Sequence, residues 1–315
     1  MRQPAIFMFG IVSFVMAASF TVASAMATAD NAVSECLVVG CGVLGTSLCK
    51  QIVASPDLAS CKVTAATKTT NRHATILSEV LGDDSSDRFE VKTLDECKGT
   101  KYDNVVFCAP PSGFEDYPGA VRDVVENYWS SDKGVFVFTS AGSVYGPGED
   151  GSTVDEQTPL ADPESNPRAA RLVNAEAAVL ANGGCTLRLA GLYNLDRGAH
   201  NFWLSSGKPV GGRSDGIVNQ LHYDDAAGSV LAALRAGPAV VSGKPFLISD
   251  GNPMSRREIC VSALKAEKYQ GMSLPDFLGT DSDPKGKTYD GSVSNKALNW
   301  SAQYESFDAF MMSQS

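Results

Sequence analysis

Short apolar runs rich in β-branched residues alternate with helical patterns over the first two thirds of the chain. Cys36-Leu37-Val38-Val39 is such a run, and it ends in Gly40-Cys41-Gly42-Val43-Leu44-Gly45. Leu44, Leu48 and Ile52 then recur on one face, which predicts a helix through Val53. Cys61–Ala66 reads as a second strand, His73–Leu81 as a helix and Phe89–Val91 as a short third strand. Asn104–Cys108 is a fourth strand, stopped by Pro110-Pro111, where two backbone donors are lost. A helix over Tyr117–Trp129, a fully apolar strand over Gly134–Thr139, a helix over Ala169–Ala181 and a strand over Thr186–Leu189 complete the series. This alternation predicts an α/β fold: a doubly wound parallel sheet with helices on both faces. Beyond residue 195 the pattern loosens and Gly and Pro become frequent. The reading is a core over 35–195 and a small C-terminal substrate lobe over 196–315, interleaved with that core.

The first residues do not fit this pattern. No charge occurs between Arg2 and Asp30, Ile6–Phe20 is almost wholly apolar, and Ala23-Ser24-Ala25 follows. That order reads as a cleavable signal or targeting peptide over 1–25, with 26–34 as a short linker or transit-like remainder. An uncleaved anchor is the alternative. Once the leader is cleaved, no stable membrane association is expected. The chain has eight Cys without C-x-x-C spacing, and 315 residues can bury a core without disulfide staples. The cysteines therefore read as buried thiols in a reducing compartment. A secretory-type leader combined with free thiols suggests delivery to a plastid; the secretory lumen or secretion is the alternative. Lys plus Arg total 26 against 36 Asp plus Glu, giving a net charge of −10. That balance, with no basic run, excludes nucleic acid as the main partner. Three His, none near a Cys at ligand spacing, give no metal site.

The chemistry starts at the first turn. A G-x-G-x-x-G sequence between a buried strand and an amphipathic helix is the setting of a dinucleotide cradle. Gly40 permits the tight turn, Gly42 lets backbone N–H groups reach a pyrophosphate, and Gly45 lets helix and strand pack closely. Val43 and Leu44 add the N–H groups of the first helical turn. Where an NAD site places an acid on the ribose, the second strand ends in Thr67-Lys68-Thr69-Thr70-Asn71-Arg72. Lys68 and Arg72 suit a 2′-phosphate, so NADP(H) is expected in preference to NAD(H), unless both cations are simply solvated.

Phe138-Thr139-Ser140-Ala141-Gly142-Ser143-Val144-Tyr145-Gly146 resembles the fifth-strand signature of extended short-chain dehydrogenases, the epimerase/dehydratase group. Asp155–Pro159, Leu187–Tyr193, Asn219–Ala227 and Ser292–Trp300 resemble later segments of the same family, in the same order. The resemblance implies a Rossmann fold with an NAD(P)-binding core. It sets Cys108, Ala109, Pro110, Thr139 and Ser140 along the cofactor. It also puts Arg171 where the family has a ribose-binding Lys. The family's Tyr-x-x-x-Lys pair is absent: Pro167 takes the Tyr position, and Ala141 replaces the polarising Ser or Thr. These departures resemble the atypical subgroup. Ser140, Ser143, Tyr145 and His222 remain as candidate catalytic groups. Arg197–Asn201 is a candidate substrate loop, and Lys208 and Arg213 could meet an anionic group. The expected activity is an NADP(H)-dependent oxidoreductase or epimerase acting on a small anionic or nucleotide-linked substrate. The alternative is a catalytically degenerate dinucleotide binder with a regulatory or scaffold role.

Overall fold

The computed structural model describes residues 33–146 and 150–315. The expected leader over 1–25 and most of the 26–34 linker lie outside the described residues. The chain runs through β1 (Glu35–Val39), α1 (Val43–Ala54), β2 (Lys62–Thr67), α2 (His73–Leu81), β3 (Phe89–Thr93), β4 (Asn104–Phe107), α3 (Tyr117–Tyr128) and β5 (Phe136–Ala141). Next come β6 (Thr153–Val154), α4 (Pro167–Ala181), β7 (Cys185–Leu189), β8 (Gly191–Tyr193), α5 (Ala199–Ser205), β9 (Ile217–Val218) and β10 (Gln220–His222). The remainder is α6 (Tyr223–Ala236), α7 (Pro238–Val241), β11 (Pro245–Ile248), β12 (Met254–Ser255), α8 (Arg256–Ala263), β13 (Thr288–Tyr289), α9 (Ser292–Leu298) and α10 (Phe307–Met312).

Seven parallel strands form the central sheet in the order β11-β7-β5-β4-β1-β2-β3, a Rossmann-type doubly wound arrangement. Strand periodicity sorts the core. Val38, Val106 and Val137 face one side with Leu44, Leu48 and Ile52 of α1 and Val230 of α6. Leu37, Val39, Phe107, Phe136 and Phe138 face the other, against Val121 and Val124 of α3 and Val179 of α4. Both faces are covered, as all-parallel sheets require. The fifth strand lies two residues later than its apolar run, which starts at Gly134. A side chain at Gly134 would strike the backbone of Asp103, and the Val135 N–H bonds to the Asn104 side chain at 3.0 Å instead of a ladder partner.

Beyond β7 the chain builds small parts above the carboxyl ends of the strands. β8 pairs with β10, β9 with β12 and β6 with β13, each over two or three residues. A separate apolar cluster of Tyr193, Ile259, Tyr269, Phe307 and Met311 holds this part together. All eight cysteines are unpaired, seven of them buried. Among the described residues no helix is long and apolar enough to cross a membrane, and no group of His, Cys, Asp or Glu could hold a metal ion.

Sheet and α4 are joined by a buried ion pair. Arg188 of β7 bonds Glu176 of α4 at 2.9 and 3.0 Å, with both side chains under 5% exposed. Its remaining N–H group reaches Tyr145 Oη and the Glu156 carbonyl, both at 3.2 Å. Removing one charge leaves the other buried and unpaired, which costs about 3–5 kcal/mol. Glu176→Gln should therefore lower the unfolding free energy in urea titration by roughly 3 kcal/mol. An unchanged denaturation midpoint would show that Arg188 is satisfied without its partner.

Candidate functional site

The turn from β1 into α1 is shaped by exclusion. Gly40 has φ +98°, and a Cβ there would lie 2.5 Å from the Ala109 Cα. A Cβ at Gly45 would stand 2.6 Å from the Gly40 carbonyl oxygen and 3.0 Å from Cys108 Sγ. These two glycines let the turn, the helix and the end of β4 meet. Gly42 is different: a Cβ there would meet no atom within 4 Å, so it faces open space. The N-terminal turn of α1 leaves the N–H groups around Val43 and Leu44 without intrahelical partners. This geometry fits a pyrophosphate resting over Gly42.

A cavity of about 470 Å³ opens beside this turn. Gly40, Gly42, Lys68, Arg72, Ala109 and Pro110 line it. Arg72 donates to the Cys41 carbonyl at 3.2 Å and lies 3.6 Å from Glu79 with its side chain half exposed, so its charge stays at the cavity mouth. Lys68 donates to the Gly113 carbonyl at 3.3 Å, across the cavity. The sequence reading missed Leu94, Asp95, Gly113 and Phe114, which close the far wall. Leu94 and Asp95 follow β3, whose parallel register with β2 carries them to the same edge. Asp95 is neutralised by Lys98 at 2.7 Å.

Cys108 and Thr139 stand behind this cavity. The Cys108 thiol donates to the Gly40 carbonyl at 3.2 Å, and burial pushes it well above the ordinary thiol range. Thr139 Oγ1 donates to the Phe107 carbonyl at 3.3 Å. Arg171, set against a ribose by the resemblance, instead donates to the carbonyls of Pro111 (2.7 Å) and Phe114 and stacks near Tyr117. It fixes the loop that forms the cavity wall.

The candidate catalytic groups are not brought together. Tyr145 is 6% exposed, and its hydroxyl accepts from Arg188; burial raises its pKa. His222 is 4% exposed among Tyr193, Tyr304 and Phe310, and its Nδ1 accepts the Asp224 N–H at 3.1 Å, capping α6. Burial lowers its pKa and favours that neutral acceptor. Nearby, burial pushes the Asp250 carboxyl up to about 7, and one of its oxygens has no hydrogen-bond partner. Ser140 is buried with an unpartnered hydroxyl, whereas Ser143 is exposed at the rim of a second cleft. In the expected substrate loop, His200 is fully buried, and burial lowers its pKa to about 4. Arg213 is held by Asp215 at 2.8 Å and Asp281 at 3.4 Å, so it offers little to a ligand.

No protein-family model and no curated protein matches the chain. Solved structures do. A dTDP-glucose 4,6-dehydratase from Bacillus anthracis in complex with NAD superposes with TM-score 0.67 at 15% identity, covering 89% of this chain and 94% of its own. A UDP-glucuronic acid 4-epimerase from Bacillus cereus in complex with NAD gives 0.66 at 17%, covering 89% and 95%. A conserved protein of unknown function from Silicibacter pomeroyi gives 0.65 at 18%, covering 89% and 98%. At this identity the likeness establishes the fold: that of the epimerase/dehydratase proteins, as the motif resemblance implies.

Gly42→Val should leave the melting temperature of the free protein nearly unchanged, because no atom opposes the new side chain. It should weaken nicotinamide dinucleotide binding by about a hundredfold or more, since the isopropyl group fills the pyrophosphate space. Unaltered affinity on fluorescence titration would remove the cradle assignment.

Proposed function

We propose that this chain is an NADP(H)-binding oxidoreductase or epimerase-like protein of the atypical short-chain dehydrogenase type, acting on a small anionic substrate. One observation carries the reading: the glycine turn opens directly onto a cavity whose mouth holds Arg72 and Lys68, with no acid at the end of β2. Gly40, Gly42, Val43, Leu44 and Gly45 hold the pyrophosphate, and Lys68 and Arg72 hold the 2′-phosphate through charge-assisted hydrogen bonds. Ala109 and Pro110 back the nucleotide, with Cys108 and Thr139 behind them. A bound nicotinamide dinucleotide supplies or accepts a hydride; the chain binds and orients it and keeps water from its face. Two of the similar structures are complexes with NAD, which supports a nicotinamide cofactor here. The eight unpaired cysteines support a reducing compartment, and combined with the leader-like sequence they support the plastid in our reading.

A regulatory binder without turnover is the second reading. Ala141 and Pro167 favour it, since neither side chain can donate a proton where the family resemblance would place a donor.

Parallel titrations with NADPH and NADH test the cofactor. NADPH should bind more tightly, and Arg72→Glu should weaken NADPH by about tenfold or more while NADH changes little, because a like charge then faces the 2′-phosphate. Equal weakening of both cofactors would make Arg72 a support for the glycine turn only.

A further inference from the structure

A second cleft, about 460 Å³, opens at the carboxyl end of β5. It begins at Ala141, two residues beyond Thr139, and its side-chain chemistry is one-sided. Among the described residues, Arg256, Lys287, Tyr289 and Ser143 line it, and no carboxylate does. The other described cavities each carry an aspartate in their lining, and Arg213, Arg235, Lys265 and Lys268 are each paired with one. Among the described residues, Arg256 bonds only to the Arg213 carbonyl at 3.3 Å, and Lys287 Nζ only to the Gly146 carbonyl.

Lys287, just before β13, and Tyr289, its last residue, are fixed in place. Buried Asn219 donates to the Lys287 carbonyl at 2.7 Å and accepts the Tyr289 N–H at 2.9 Å, gripping the peptide on either side of Thr288. Lys287 is 9% exposed and passes beside the Tyr145 ring at 6.0 Å. Tyr289 Oη lies against Gly142, in space a side chain there would take, and makes no hydrogen bond among the described residues. Burial lowers the Lys287 pKa, and it pushes the Tyr289 hydroxyl up to about 12, which keeps that hydroxyl a donor. A lysine whose charged form burial disfavours is also a better nucleophile toward carbonyl carbon.

We propose that this cleft binds a small aldehyde or ketone bearing an anionic group, with Lys287 Nζ and Tyr289 Oη donating to its carbonyl oxygen and Arg256 holding the anion. This assignment names the substrate class of the proposed function and rests on that reading. It restores, from residues 287–289, the donors that Ala141 and Pro167 cannot provide.

Pyridoxal 5′-phosphate, which joins an aldehyde to a phosphate, is a direct probe on the full-length protein. An amine adds to its aldehyde carbon, the oxygen leaves as water, and borohydride reduces the C=N bond to a stable secondary amine. Peptide mapping near neutral pH should find Lys287 modified about tenfold or more faster than exposed lysines such as Lys62 and Lys101. 5′-Deoxypyridoxal, which has neither the phosphate nor a hydroxyl able to close on the aldehyde, should lose about tenfold of that rate at Lys287, the worth of one charged hydrogen bond, as should Arg256→Ala with the phosphate form. Labelling spread over exposed lysines, or equal rates for the two aldehydes at Lys287, would overturn the proposal. The wild-type comparison of the two aldehydes decides this even if Arg256→Ala misfolds. Labelling needs no dinucleotide. Selective Lys287 modification in a chain that fails to bind NADPH or NADH would therefore overturn the proposed function and leave the cleft standing, and the reverse result would do the opposite.

Discussion

Gly40 and Gly45 are the positions on which the site depends, because each lets backbone pass where a single methyl group could not. The turn between β1 and α1 packs on the Ala109 backbone on one side and on its own helix on the other. With that contact closed, Gly42, the N-cap of α1, is left facing open space at the cavity. Sheet order follows the same logic. β1 lies between β4 and β2, so the ends of all three strands, and the loops after them, border one cavity. A ligand at that edge of an open α/β sheet meets backbone donors first and side chains second.

Charge is distributed to suit this. Arg213, Lys265 and Lys268 of the lobe are paired with aspartates, and the core's buried cation, Arg188, with Glu176. Lys68 and Arg72 stand at the mouth of the first cavity, and Arg256 and Lys287 in the wall of the second cleft. In an acidic protein, long-range attraction for anions is weak, so selectivity rests on such local, partly desolvated donors. The two places lie on one edge of the sheet, separated by the ends of β4 and β5.

Much of this was legible from residue order. The core strands, the helices between them and the glycine turn came from periodicity and local chemistry, and the family resemblance extended them into the lobe. Pro167 opens α4, and the Asn166 side chain caps it, so a position that looked like a lost catalytic group is a good helix start. What stayed hidden is instructive. β13 is two residues long and pairs with β6 across more than a hundred residues of chain, so no periodicity announces it. Lys287 and Tyr289 gain their setting only through Asn219, a long-range hydrogen-bond partner that no spacing rule reveals. Tyr145 and His222 show the converse. Their residue types suit proton transfer, but burial has given one to Arg188 and the other to the cap of α6.

The central claim is that one edge of this sheet carries a nicotinamide dinucleotide toward the cleft at β5. A crystal structure of the protein with NADPH tests it most directly. The account predicts density for the pyrophosphate over Gly42, the 2′-phosphate between Lys68 and Arg72, and the nicotinamide beyond Thr139, toward Ala141 and Tyr289. A dinucleotide bound elsewhere, or one whose nicotinamide turns away from β5, would contradict it.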